Sequence, residues 1–192
     1  SNFGAAARVY WSLKTAGLAP LAILNGGFQA WKQAGLPIST ESETPLPSDF
    51  PAKIQPYWLA QAAEVEAQLN KPGVQMLDAR PDDFFEGLTW HPAASKPGTI
   101  VGAAAFDNER WFHSGGPLLK SPERLQSLVQ ENKLGQAEIT VSFCNTGHWA
   151  ATNWFVLSEI AGKQNVKLYP ESLVEWSTAN LPMDNVPNRL EW

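Results

Sequence analysis

Residues 138–151 read Glu138-Ile139-Thr140-Val141-Ser142-Phe143-Cys144-Asn145-Thr146-Gly147-His148-Trp149-Ala150-Ala151. The first six are rich in β-branched and aromatic side chains, the composition of a buried strand. The run stops at a cysteine, passes through a short polar loop containing a glycine, and enters an alanine-rich stretch that favours helix. Such a strand–loop–helix puts the cysteine at the carboxyl end of a sheet, where open parallel sheets take up ligands. The same alternation extends on both sides. Residues 58–70 have helical composition and end at Lys71-Pro72-Gly73, which cannot continue a helix. Residues 74–78 form a short apolar strand. Ser121-Pro122-Glu123 opens a helix with serine at the cap and proline in the first turn, and Leu125, Leu128 and Val129 mark its apolar face. A further helix is expected at 150–161, with Ala151, Trp154 and Phe155 on one side, and a third strand at 165–169. The pattern predicts an α/β fold, a central parallel sheet covered by helices on both faces.

Composition bounds the function. The chain has 192 residues, 44% hydrophobic and 17% charged, with a net charge of −5 and no basic run. Nucleic-acid binding, which needs clustered Lys and Arg against the phosphate backbone, is disfavoured. No apolar stretch approaches the roughly 20 residues that span a bilayer. With one cysteine, neither an internal disulfide nor a cysteine-based zinc cage can form. His91, His113 and His148 share no helical spacing and do not suggest a metal set. His91 and His113 are expected to face solvent or bond locally, with His113, near Trp111, a candidate for the rim of a substrate mouth. Ser1-Asn2-Phe3-Gly4 runs straight into an alanine-rich helix without the parts of a secretory signal. The reading is cytoplasmic, with periplasmic as the alternative.

A shift of 145 positions lays Ala5, Ala6, Gly17, Trp31, Leu36 and Pro37 on Ala150, Ala151, Gly162, Trp176, Leu181 and Pro182. A helix–Gly–strand–helix–Leu-Pro unit therefore occurs twice. The earlier copy is expected to contain a strand at 21–24, a Gly26-Gly27 break and a helix at 28–33. Nothing in the chain corresponds to the front of that first copy. The expected organisation is residues 1–40 as the rear part of an N-terminal domain, 41–53 as a proline-bearing polar linker, and 54–192 as a C-terminal catalytic domain. The missing front is a candidate non-covalent partner. Trp11, Trp31, Trp154 and Trp176 fall inside the repeats and are expected to pack there.

The loop after Phe143 suits a reactive thiol. Gly147 permits unusual dihedrals, so successive N–H groups can turn inward as an anion nest. The following helix adds the positive end of its dipole. Both favour thiolate, the nucleophilic form. The competing reading is a merely buried, apolar cysteine. A phosphatase or arsenate reductase would want an arginine where Ala150 stands, to clamp the oxyanion.

The loop resembles the active-site loop of the rhodanese superfamily, and the chain as a whole is similar to a tandem-domain thiosulfate/3-mercaptopyruvate sulfurtransferase lacking the front of its first domain. Leu77-Asp78-Ala79-Arg80 resembles that family's strand-end Asp-x-Arg, and Phe85-Glu86-Gly87 its Phe-x-Gly. Gly98-Thr99-Ile100-Val101-Gly102-Ala103 resembles Gly-His-Ile-x-Gly-Ala, with Thr99 in place of histidine. Tyr169 with Leu173-Val174-Glu175-Trp176 is similar to the closing Tyr-x-Gly-Ser-x-x-Glu-Trp, with Glu171 in place of glycine. The resemblance implies a rhodanese-like three-layer fold and a partial second repeat. It also implies a ping-pong reaction without a cofactor. Cys144 takes sulfur from a small anionic donor, thiosulfate or 3-mercaptopyruvate, becomes a persulfide, and gives the sulfur to cyanide or a thiol. It further implies that Arg80 helps hold the donor, the alternative being a structural pair with Asp78 or Asp82. Asn145, Thr146 and Gly147 are expected to supply backbone N–H groups. His148 offers a partial charge or a proton, the alternative being that it opens the helix facing solvent, and Trp149 is expected to be a lid or a packing residue. The loop departs from both donor subtypes. The alternative function is a sulfur-carrier or regulatory module without turnover.

Overall fold

The structure, a computed structural model, describes residues 3–187. Positions 1–2 and 188–192, included in the expected segments 1–40 and 54–192, lie outside the described residues. Four parallel strands form the central sheet in the order β3-β1-β4-β5: β1 Val74–Asp78, β3 Ala104–Ala105, β4 Ile139–Phe143 and β5 Val166–Leu168. β1 and β4 run side by side from Val74 opposite Ile139 to Asp78 opposite Phe143. Both therefore end at the same edge, just before Ala79 and Cys144, where the Ala79 N–H donates to the Phe143 carbonyl at 2.9 Å. A separate antiparallel pair joins β2, Thr99–Ile100, to β6, Met183–Asp184.

Strand pleating sorts the core into two halves. Met76, Val141 and Phe143 point to one face and pack with Val65, Ile100, Tyr169, Leu173 and Trp176 under α3, Ala62–Gln68, and α7, Ser172–Thr178. Leu77 and the loop cysteine lie in the other cluster, with Trp111, Leu125, Leu128, Ala150, Ala151 and Trp154. That face is covered by α5, Pro122–Glu131, and α6, His148–Phe155, which continues as a π-helical turn, Val156–Ile160. α5 begins as its sequence requires: the Ser121 hydroxyl accepts the Arg124 N–H, Pro122 opens the first turn, and Leu125, Leu128 and Val129 are buried. The short α4, Asp82–Phe85, follows β1.

Helix α1, Phe3–Thr15, buries Phe3, Ala7, Trp11 and Thr15, a stripe spaced by four residues, against α6. The Tyr10 ring meets Phe155 edge-on at 5.0 Å, and the Trp11 indole N–H donates to the Trp58 carbonyl at 3.2 Å. Lys14 and Tyr10 both reach Glu159, at 2.6 Å and 2.7 Å. After α2, Gly27–Gln33, the chain runs without helix or strand from 36 to 55 and is almost wholly exposed. It returns to α1 where the Lys53 and Gln55 N–H groups donate to the Ala16 and Thr15 carbonyls.

Three expectations need correction. Residues 21–24 form no strand: among the described residues no neighbouring strand lies beside them, and Leu24 is 54% exposed. The helix expected from position 58 begins only at Ala62, since Pro56–Trp58 makes a 3₁₀ turn and Leu59 bridges Leu168 in parallel, lengthening the sheet edge. Trp31 is not a core residue as Trp11, Trp154 and Trp176 are, and stays partly exposed.

The two aligned segments nevertheless share local geometry. The Trp31 indole donates to the Pro37 carbonyl at 2.8 Å, and the Trp176 indole to the Pro182 carbonyl at 2.8 Å. Positive φ recurs at the same offset in Gly27 and Ser172, at 60° and 55°.

Candidate active site

β4 delivers Cys144 to the carboxyl edge of the sheet, and α6 begins at His148. The intervening loop is held from three sides. The Cys144 N–H donates to the Ser172 hydroxyl at 3.1 Å, and that hydroxyl donates to the Tyr169 carbonyl at 2.7 Å. The Cys144 and Asn145 carbonyls accept the Leu173 and Val174 N–H groups at the start of α7. From below, the Ser142 hydroxyl ties β4 to the Ala150 carbonyl at 3.0 Å. These bonds leave the cysteine side chain facing the inside of the turn, where the Gly147 N–H donates to Cys144 Sγ at 3.1 Å. Gly147 sits at φ 80°, which a glycine adopts without strain. Cys144 is 2% exposed.

The amide that donates to Sγ is that of Gly147. The side chains of Asn145 and Thr146 have partners of their own. Asn145 is buried, and its Oδ1 accepts from Arg80 Nη1 at 3.4 Å. Thr146 is exposed; its hydroxyl lies 3.3 Å from His148 Nδ1, and its carbonyl accepts from Arg8 Nη1 at 3.5 Å. His148 opens α6 with its ring exposed. Trp149, half-buried, meets Phe84 edge-on at 5.9 Å beside the loop.

Arg80 is only 1% exposed and is turned inward. Its Nε and Nη2 grip both carboxylate oxygens of Asp78 at 2.7–3.1 Å, and Nη2 also donates to the Gly98 carbonyl at 2.7 Å. Asp78 accepts the Thr99 hydroxyl as well, at 2.7 Å. Thr99 thus takes up a carboxylate bond from the position where the family pattern has histidine. Of the two pairings open to Arg80, the structure has Asp78. Through Asn145 the pair also steadies the cysteine loop.

Arg8 and Ser172 are absent from the residues the sequence singled out. Ser172 stood inside the closing motif, whose serine could have been followed. Arg8 is the one cation in the first three turns of an otherwise apolar, alanine-rich helix. Burial lowers its guanidinium from the ordinary value, while Glu171 and Cys144 pull the other way. His113, the candidate for the rim of a mouth, has no Trp111 edge beside an opening to work with. Trp111 is fully buried, its indole donating to Asn153 Oδ1 at 2.7 Å, and His113 sits on an exposed turn. The His91 ring accepts the Ala93 N–H, a local bond as expected. Among the described residues, no three His, Cys, Asp or Glu side chains are grouped to hold a metal ion, and no helix is long and apolar enough to cross a membrane.

The site is a cysteine loop at the carboxyl edge of a parallel sheet, followed at once by a helix. The chain belongs to the rhodanese family: residues 61–179 match the Rhodanese-like domain. It is 31% identical over 172 residues to a 3-mercaptopyruvate sulfurtransferase of Rattus norvegicus, covering 89% of this chain and 57% of the rat protein. It is 36% identical over 177 residues to a probable 3-mercaptopyruvate sulfurtransferase of Pseudomonas aeruginosa, covering 90% of this chain and 61% of that protein. The chain thus spans about three-fifths of the length of these relatives. The fold also matches the anaerobic ergothioneine biosynthesis enzyme of Chlorobium limicola, with a TM-score of 0.84 at 21% identity, over 96% of this chain and 46% of that one.

Proposed function

We propose that the protein is a sulfurtransferase of the thiosulfate sulfurtransferase (rhodanese) type. It moves a sulfane sulfur from thiosulfate or 3-mercaptopyruvate to cyanide or a thiol through a persulfide on Cys144. The observation that carries this reading is the Gly147 N–H held 3.1 Å from Sγ, in a loop anchored to α7. The names of the rat and Pseudomonas relatives support it.

The chemistry runs in two displacements. The Cys144 thiolate attacks the outer sulfur of thiosulfate; an Sγ–S bond forms, the sulfur–sulfur bond of the donor breaks, and sulfite leaves with the electron pair. An acceptor thiolate or cyanide then attacks the outer persulfide sulfur, and Sγ departs as thiolate. Dividing one transfer in this way is covalent catalysis. The Gly147 amide stabilises the Sγ thiolate before the first displacement and again as Sγ departs in the second. Thr146, His148 and Trp149 form the rim that the donor meets, and Arg80 acts on the loop through Asn145. A carrier or regulatory module without turnover is disfavoured by the intact loop and by the relatives' names. Treatment with thiosulfate should add one sulfur atom to Cys144 in the mass spectrum, and Cys144→Ser should abolish both that gain and turnover. Turnover unchanged in the serine variant would sink the proposal.

We further read residues 1–40 as the rear part of a first rhodanese-like repeat, joined by 41–53 to the catalytic repeat. The shared Trp–Pro hydrogen bond and positive-φ positions support this. Val9, Leu13, Leu24 and Phe28 are exposed on one side of this segment, an apolar face that the front of the same repeat would cover. A cytoplasmic setting suits a protein whose one thiol must stay reduced.

A further inference from the structure

The amide that serves the sulfur has a second partner at its other end. A trans peptide holds its C=O and N–H on opposite sides. In the peptide joining Thr146 to Gly147, the N–H points at Cys144 Sγ, and the C=O accepts from Arg8 Nη1 at 3.5 Å. The same Nη1 lies 3.4 Å from the Pro170 carbonyl, so the guanidinium clasps the cysteine loop to the turn that precedes α7. The clasp also accounts for glycine at 147: a Cβ there would overlap both Arg8 Nη1 and the Pro170 carbonyl oxygen. Arg8 is braced by the Trp11 ring, 5.2 Å from the guanidinium carbon.

A cation at the carbonyl end of an amide polarises it, and hydrogen bonds in series strengthen one another in a water-poor setting. We propose that Arg8 is a positioning residue for sulfur transfer, acting through the Thr146–Gly147 peptide to fix and strengthen the amide that donates to Sγ. The reaction of the catalytic repeat would then depend on a side chain supplied by α1, outside the span matched to the family. The inference rests on the reading of Cys144 as the sulfur carrier. The other charged or titratable groups around the loop are Glu171 and Glu175 from the α7 side, His148 from α6, and the Arg80–Asp78 pair behind Asn145.

The test is the pH profile of Cys144 alkylation by iodoacetamide, which does not require any sulfur donor, in Arg8→Gln and Arg8→Lys beside the parent chain. Circular dichroism and thermal unfolding select the variants that fold. Arg8→Gln, which keeps a donor without the charge, should react about tenfold more slowly near neutrality, its profile moving to higher pH by about one unit. Arg8→Lys should recover most of the rate. Thiosulfate turnover should fall in the same order, with kcat reduced more than KM is raised. A profile that coincides with the parent in a folded Arg8→Gln or Arg8→Lys would overturn the proposal. If neither variant folds, Arg8 is a packing residue and the proposal fails. Slower alkylation of Arg8→Gln than of a parent chain that itself forms no persulfide would keep the hold of Arg8 on the amide but overturn its part in sulfur transfer, because the sulfur-transfer reading itself would have failed.

Discussion

The backbone N–H of Cys144 is bonded to the side-chain hydroxyl of Ser172, at 3.1 Å. The cysteine is thus held by a serine from the far end of the β5–α7 connection, in a left-handed conformation at φ 55°. Ser172→Ala would leave the buried Cys144 N–H without an acceptor at a cost of about 1–3 kcal/mol. The unfolding midpoint should fall by about 2–4 °C per kcal/mol lost, and turnover should fall with it. Ser172→Gly loses the same hydroxyl but relaxes the positive φ, so it should unfold at a higher temperature than Ser172→Ala.

Arg80 and Asp78 predict an outcome that separates structure from substrate binding. Arg80→Met leaves the buried Asp78 carboxylate with the Thr99 hydroxyl and the backbone N–H of residue 80 but no counter-charge, so stability should drop by about 3–5 kcal/mol. Pairing it with Asp78→Asn removes the stranded charge and should recover much of that loss. Thermal unfolding of the two variants checks this. A stable Arg80→Met with a raised KM for the donor would return Arg80 to the donor site.

Gly147→Ala should be worse than a strained turn alone would make it. The new methyl collides with Arg8 and the Pro170 carbonyl while the backbone is held at φ 80°. Sulfur transfer should fall by two orders of magnitude or roughly so, since a misplaced catalytic donor costs that much. Steady-state turnover, with circular dichroism to verify folding, is the measurement.

The docking of α1 should respond to pH from both sides. Burial alone would raise the Glu159 carboxyl, but the hydrogen bonds from Lys14, Tyr10 and Ser158 and the charge of Lys14 outweigh it and hold the group below its ordinary value. Its contribution is present in full above the unfolded carboxylate value of about 4.3 and is lost as pH falls through the lower folded value. Tyr10 is pushed up to about 12 by burial and by its bond to Glu159. That contribution holds below the free phenol value of about 10 and fades as pH climbs towards the folded value. Glu159→Gln should lower the unfolding midpoint by about 2–8 °C near neutrality, equivalent to 1–2 kcal/mol, and flatten the acid limb of the stability profile.

The parts of the fold legible in the sequence were those with a local cause. Ser121 and Pro122 announce α5, the apolar run before Cys144 announces β4, and the glycine after it announces the turn. What escaped depends on partners remote in the chain. The extended character of Leu59 comes from Leu168, and residues 21–24 have strand composition without a neighbour to pair with. At the site, the cysteine and its glycine were readable because loop and helix are contiguous. The direction of Arg80 was not, because Asp78, Gly98 and Asn145 all compete for it. Arg8 lies 138 residues from the carbonyl it binds, beyond the reach of any local pattern.

Because Phe3, Ala7 and Trp11 belong to the same buried cluster as Cys144, the exposed stretch at 36–55 is a tether, not a hinge. Severing it would leave α1 seated on α6 by its buried stripe and by its bonds to Glu159, Trp58 and the cysteine loop. Drawing the short piece away with excess competing peptide would then loosen the cysteine turn without touching the domain that carries it.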